Sequence, residues 1–403
     1  GVFDAVVIGL GSMLGAGVFV AFAPATRAAG GTGMLIALAL AALVACCNAL
    51  SSARLAALYP ESGGTYVYGR ERLGDTAGFL AGWAFVTGKT ASCAAMALAI
   101  GAYAWPSQAR WVAVAAVVAL TAVNLGGITK TARLTRVLVA VTLTVLAVVV
   151  VVGLSGGDLS LGDSDVTSPY GVLQGAGLLF FAFAGYARIA TLGEEVREPE
   201  RTIPRAIPLA LGITLAVYAA VALAALAVLG PDRLADATAP LTEAVRAAGA
   251  PELAPVVRAG AALAALGSLL ALILGVSRTT LAMARDRHLP HALAAVHHRF
   301  GVPHRAELLV GAVVAVLAGT VDVRGAIGFS SFAVLAYYAV ANSAAWTLGL
   351  DEGRPPRLVP VVGLAGCVVL AFALPLVSVV FGTAVLGLGA AAYAVRRAAA
   401  RAG

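Results

Sequence analysis

The ionisable residue most out of place in this sequence is Lys89. It stands in Trp83-Ala84-Phe85-Val86-Thr87-Gly88-Lys89-Thr90-Ala91-Ser92-Cys93, and about 14 residues separate it from the start of that apolar run near residue 75. That is too deep for the amine to reach lipid headgroups easily. An ionisable group at such depth marks an ion or substrate pathway, unless a buried carboxylate pairs with it. A buried amine also gives up its proton more readily than one in water. Lys89 is therefore either a proton carrier or a fixed charge beside a substrate.

The other groups with chemical potential point elsewhere. Glu194 and Glu195 are adjacent, but neighbours on a helix point about 100° apart, which is poor geometry for joint acid–base work. Arg188, on the same stretch, can pair with either of them or reach water. The five histidines, His288, His291, His297, His298 and His304, crowd one connection with no repeated ligand spacing. The four cysteines, Cys46, Cys47, Cys93 and Cys367, lie in apolar runs and read as small core residues rather than disulfide or zinc partners. No Ser-His-Asp set, phosphate loop or paired catalytic carboxylate stands at membrane depth. These residues imply no enzyme, no cofactor and no metal.

Two stretches carry another kind of chemistry, that of exposed backbone. Gly9-Leu10-Gly11-Ser12-Met13-Leu14-Gly15-Ala16-Gly17 places four glycines in nine residues, each unfavourable in a helix by about 1 kcal/mol relative to alanine. Phe180-Phe181-Ala182-Phe183-Ala184-Gly185-Tyr186-Ala187-Arg188 places another glycine in mid-run. Small residues also serve close helix packing, so either stretch alone is ambiguous. They fall at corresponding places in two halves of the chain, and paired interruptions of this kind point to a transporter's central site. Unwinding frees N–H groups that suit a carboxylate and carbonyls that suit an ammonium. At membrane depth such groups persist only where they line a cavity or are bound.

The elements that position these residues are membrane spans. The chain has 403 residues, 61% hydrophobic and only 12% charged; soluble domains average about 25% charged. Twelve apolar runs approach the roughly 20 residues a span requires: 3–27, 33–56, 75–104, 109–127, 134–154, 171–195, 205–229, 254–284, 306–321, 328–349, 358–374 and 376–395. Alternate connections and the tail carry most of the arginine, including Arg70, Arg72, Arg285, Arg287, Arg354 and Arg396. The opposite connections hold only Arg27, Arg110, Arg233, Arg246, Arg258 and Arg324. The arginine-rich side faces the cytoplasm, so both termini are expected inside a cytoplasmic (inner) membrane. The net charge of +7 is this bias rather than a nucleic-acid footprint. The first run has no cleavage site and is not a removable signal peptide. Because the chain starts at Gly1 rather than Met, a short N-terminal tail is expected to precede it.

These residues resemble the amino acid–polyamine–organocation (APC) family of permeases. The resemblance rests on Gly11 to Phe19, on Tyr59-Pro60-Glu61-Ser62-Gly63-Gly64-Thr65-Tyr66-Val67-Tyr68, and on Phe180 to Ile207. That third block ends Glu194-Glu195-Val196-Arg197-Glu198-Pro199-Glu200-Arg201-Thr202-Ile203-Pro204-Arg205-Ala206-Ile207. A weaker fourth block is Ser277-Arg278 through Met283-Ala284-Arg285-Asp286-Arg287-His288-Leu289-Pro290. The resemblance implies an all-α integral membrane protein with a LeuT-like 5+5 inverted repeat, about 12 transmembrane helices, and helices 1 and 6 broken. One membrane transport domain then covers 1–403: a first repeat over 1–154, a second over 171–349 and two additional helices over 358–395. It implies that Gly15, Ala16 and Gly17 hold a substrate carboxylate. Phe181, Ala182, Phe183 and Gly185 match the stretch that holds the ammonium and forms an aromatic gate. In a member of the family, positions matching Gly88, Lys89 and Cys93 lie near the substrate.

Two departures shape the expected substrate and coupling. Some proton-coupled members carry a lysine in span 5, where this chain has Thr142, and Lys89 is expected to take over that proton-carrying task. Ala187 stands where several members have an acid. With aromatic and small groups around Lys89 and no acid placed, the expected substrate is a neutral amino acid, with an anionic one next. The expected activity is symport or exchange of amino acids across the bilayer, with protons as possible partners. A membrane sensor that binds without transporting retains the same residues and is the alternative.

Overall fold

The computed structural model describes residues 1–61, 63–127, 132–157, 166–190 and 198–402 of the chain. Ten helices among them are long and apolar enough to cross a membrane, from Val2–Val20 to Leu376–Ala399. Two shorter helices, His304–Thr320 and Leu358–Ala373, stand where the ninth and eleventh spans were expected. The Glu194-Glu195 pair lies outside the described residues.

Span 1 is interrupted where the glycines cluster. A helix over Val2–Met13 stops, Leu14 to Ala16 form a turn, and helix resumes over Gly17–Val20 and Phe22–Ala29. Span 6 begins with Ser168 capping the amide of Gly171 at 2.9 Å and Pro169 at its first position, where the missing N–H is not needed. It runs helically over Pro169–Phe183, tightens to a 3₁₀ turn over Ala184–Tyr186, and resumes over Ala187–Ala190. The two interruptions face each other. A Cβ on Gly17 would fall 2.6 Å from the Ala182 Cα, and one on Gly185 would fall 2.6 Å from the Ser12 backbone. Only glycine permits backbones so close.

Neighbouring helices supply partners for the carbonyls freed by the breaks, as an apolar surround requires. Ser268, on Ala254–Arg285 of span 8, donates its hydroxyl to the Gly11 carbonyl at 2.7 Å. Tyr218 in span 7 sets its hydroxyl between the carbonyls of Met13 and Ala182. Elsewhere the buried Asn48, Ser51 and Asn342 tie span 2 to span 10, with Asn342 donating to Asn48 at 2.6 Å and Ser51 donating to Asn342 at 2.8 Å.

The two ends of the bundle differ. At one, Tyr103 donates to the Phe19 carbonyl at 2.7 Å and accepts from the Leu241 amide at 3.3 Å, while Arg27 pairs with Asp236 at 2.7 Å. The other is the arginine-rich end. There the chain turns at Gly63 and Gly64, both at positive φ. A helix over Thr65–Leu73 follows, with Thr65 to Gly69 buried. Burial of Tyr66, Val67 and Tyr68 gives it the tertiary support that a nine-residue helix lacks alone. Tyr66 donates to Asp286 at 2.6 Å and lies 2.8 Å from His288 Nδ1. The final helix clamps the same corner: Tyr393 stacks on Phe79 at 4.5 Å, and Arg396 donates to the carbonyls of Arg287 and His288.

Candidate functional site

Between the two breaks lies a cavity of about 130 Å³, small beside the roughly 300 Å³ or more of a site for a drug-sized ligand. Span 1 contributes Ser12, Met13 and Gly17. Span 6 contributes Phe181, Ala182, Ala184, Gly185, Ala187 and Arg188. Phe85, Lys89, Ser92 and Met96 come from span 3, and Ser268, Leu272 and Arg278 from span 8. The lining continues through Thr279 and Ala282 to Gly63, towards the arginine-rich end. The Tyr103–Phe19 contact lies towards the opposite end.

Lys89 is the chemical centre of this cavity. It is buried, and its Nζ donates to the carbonyl of Ala184, at the head of the span 6 turn, at 3.0 Å. No carboxylate bonds to it among the described residues. Ser92, one helical turn away, shares a 2.6 Å hydrogen bond with Ser330 of span 10 and so fixes the same wall. The charged side chains that line the cavity are Lys89, Arg188 and Arg278, all cations; no Asp or Glu lines it among the described residues.

The structure distributes the residues expected from sequence over three places. Gly17, Lys89, Phe181, Ala182 and Gly185 line the cavity together. Gly15 and Thr142 instead border a separate recess of about 10 Å³ with Gly11 and Leu14, about the volume that admits one water. Thr142 keeps its hydroxyl on its own helix, donating to the Leu138 carbonyl at 2.8 Å. Ala16, Cys93 and Phe183 are buried outside both lining sets: Ala16 caps the resumed helix, and the Phe183 ring packs against Tyr218 at 5.1 Å.

Sequence reasoning missed Tyr218 and Ser268. Tyr218 is the one aromatic residue in the expected span 205–229; a hydroxyl isolated in such a run must find a partner. That signal was available. Ser268 had no comparable signal, because a serine within a helix commonly satisfies itself on its own backbone.

A family model described as amino acid permease matches residues 1–393. An uncharacterized transporter of Mycobacterium tuberculosis (strain ATCC 25618 / H37Rv) is 72% identical over 400 residues, covering 98% of this chain and 91% of the relative. A cationic amino acid transporter, chloroplastic, of Arabidopsis thaliana is 28% identical, covering 88% of this chain and 66% of the relative. A methylthioribose transporter of Bacillus subtilis (strain 168) is 26% identical, covering 93% of this chain and 87% of the relative.

Proposed function

This chain belongs to the amino acid permease family, and from that premise we propose that it is a secondary carrier moving neutral amino acids by alternating access. One observation carries the proposal: a small cavity lies between two facing helix breaks, with contacts across one end and a lining that runs on towards the other. A carrier needs a central site reached from one side at a time, and broken helices provide the polar backbone such a site uses. In this reading the arginine-rich end is cytoplasmic, both termini are inside, and the structure faces inward. The two repeats comprise 1–154 and 171–349.

Charge sets the substrate class. The Arabidopsis relative is named for cationic amino acids, but the cavity here is lined by Lys89, Arg188 and Arg278. A cationic side chain placed beside the buried Lys89 meets like charge in a poorly solvated space, which disfavours arginine and lysine. The apolar share of the lining, Phe85, Met96, Phe181 and Leu272, suits an aliphatic side chain.

The test is counterflow in proteoliposomes loaded with unlabelled leucine, valine, alanine or arginine. Accumulation of the labelled neutral amino acid, with none for arginine, supports the reading. Binding without accumulation would make the protein a sensor. Preferential uptake of arginine would overturn the substrate class.

A further inference from the structure

One buried acid takes no part in the central cavity. Glu307, in the first turn of the span 9 helix, is 0% exposed, and neither of its carboxylate oxygens has a hydrogen-bond partner among the described residues. Acids inside membrane spans are rare and mark ion or substrate pathways. Gly311 stands one helical turn along the same face, and a Cβ there would fall 2.5 Å from the Thr121 Oγ1 of span 4. That contact seats Glu307 against Asn124, one turn further along span 4. Asn124 donates to the Leu270 carbonyl of span 8 at 3.2 Å and closes no hydrogen bond to Glu307. Other packed elements bring the titratable groups. Span 8 brings Arg278, whose charge reaches the carboxyl, and span 3 brings Cys93, one turn from Lys89. The short helix His291–Ala294 brings His291, which is exposed, and the helix of Glu307 itself begins with His304 and Arg305.

We propose that Glu307 is a proton-binding site that shares Arg278 with the substrate carboxylate, so that a proton and an amino acid are carried together. This rests on the carrier reading above and names its coupling ion. A carboxylate enclosed without donors is strongly unfavourable, whereas the neutral acid is far less so. Arg278 connects the two sites, because it acts on Glu307 and also lines the cavity. With Glu307 ionised, the guanidinium is drawn to it. When Glu307 takes up a proton from water its charge is lost, and the field of Arg278 falls on the cavity, where it attracts a substrate carboxylate. The two carboxylates thus compete for one guanidinium, and protonation of Glu307 strengthens substrate binding. By linkage the substrate strengthens proton binding by the same factor. Once the substrate leaves, Arg278 returns to Glu307, the O–H bond breaks, and the proton passes to water on the side to which the cavity is open.

Two measurements on the full chain test this. In infrared difference spectra between acid and alkaline pH, the C=O band of a protonated carboxylic acid should bleach as pH rises, and Glu307→Gln should lack that component. If Glu307→Gln does not fold, Glu307→Asp must shift the same band. In proteoliposomes, an inward acid gradient should drive accumulation of labelled leucine up to about tenfold per pH unit. Glu307→Gln should abolish that accumulation and flatten the pH profile of counterflow, and Glu307→Asp should restore both. Absence of the band in the wild type makes Glu307 a fixed charge and overturns the inference. So does leucine counterflow that no acid gradient drives, or a Glu307→Gln variant that accumulates leucine like the wild type; in both cases the carrier reading survives. If no neutral amino acid shows counterflow in the wild type, the carrier reading fails, and with it the coupling, while the infrared band still decides whether Glu307 binds the proton.

Discussion

The hydroxyl of Tyr218 lies 2.8 Å from the carbonyl oxygen of Ala182, and the same hydroxyl also meets the carbonyl of Met13. One side chain of span 7 thus joins the two interrupted spans at their breaks. A phenol has a single proton to donate, so the two carbonyls share it, and any relative movement of spans 1 and 6 must break or re-form that arrangement.

Tyr218→Phe keeps the ring contacts with Phe22 and Phe183 but leaves two buried carbonyls without this donor. The expected cost is about 1–3 kcal/mol, seen as a lower melting temperature in detergent, with counterflow reduced more than the loss of folded protein explains. A variant with wild-type stability and transport would show that water satisfies those carbonyls equally well.

Alanine at the facing glycines separates close approach from helix propensity. Gly17→Ala and Gly185→Ala place a Cβ 2.6 Å from backbone atoms of the opposite break, so both should abolish counterflow. At Gly212 in span 7 an added Cβ meets nothing within 4 Å. Gly212→Ala should retain transport and gain up to about 1 kcal/mol of helix stability. Equal effects at all three positions would remove the special role of the breaks.

Outside the spans, His288 offers a pH test. Burial holds its imidazole below the ordinary value of 6.5, against the opposing pull of Asp286 and Asp75 and with the help of Arg70 and Arg396. It packs among Tyr66, Phe79 and Tyr393. Above 6.5 the residue is neutral whether the corner is closed or open, and stability does not depend on its proton. Below 6.5 the open or unfolded form binds the proton first, so stability falls as pH falls through the lowered folded value. Melting temperatures from pH 7.5 to 5 should decline in the wild type and decline less in His288→Gln. Parallel curves would assign the decline to other groups.

Lys89 separates fixed charge from proton carriage. With its amine committed to Ala184, wild type and Lys89→Arg should share one profile of counterflow against pH. If the wild type depends on pH and only Lys89→Met loses that dependence while still exchanging, the proton-carrying role expected from the sequence returns to Lys89. Thr142→Ala should change neither profile, because its hydroxyl donates to the Leu138 carbonyl on its own helix.

Much of the architecture follows from local chemistry that the sequence displays directly. Long apolar runs require helices in lipid, since no other open element satisfies its own backbone there. The break in span 1 is a backbone property of Gly15, Ala16 and Gly17 and their neighbours, legible without knowing what packs nearby, and the arginines declare the two sides. The short helix Thr65–Leu73 was less legible, because its stability comes from burial against spans 3, 8 and 10 rather than from its own residues.

The partners at the site were decided by tertiary structure alone. Successive residues on a helix differ by about 100° in direction, so a small rotation of a span exchanges the residue facing a cavity for one facing its neighbour. Phe181 and Phe183 lie about 200° apart around the helix, so one lines the cavity while the other turns to Tyr218; Lys89 and Cys93, four residues apart, share a face, and of the two only Lys89 lines the cavity. The sequence places Lys89 at membrane depth and a break in span 6. Only the packing of span 3 against span 6 brings the Lys89 amine to the one carbonyl of Ala184, because a hydrogen bond depends on the distance between two atoms 95 residues apart in the chain.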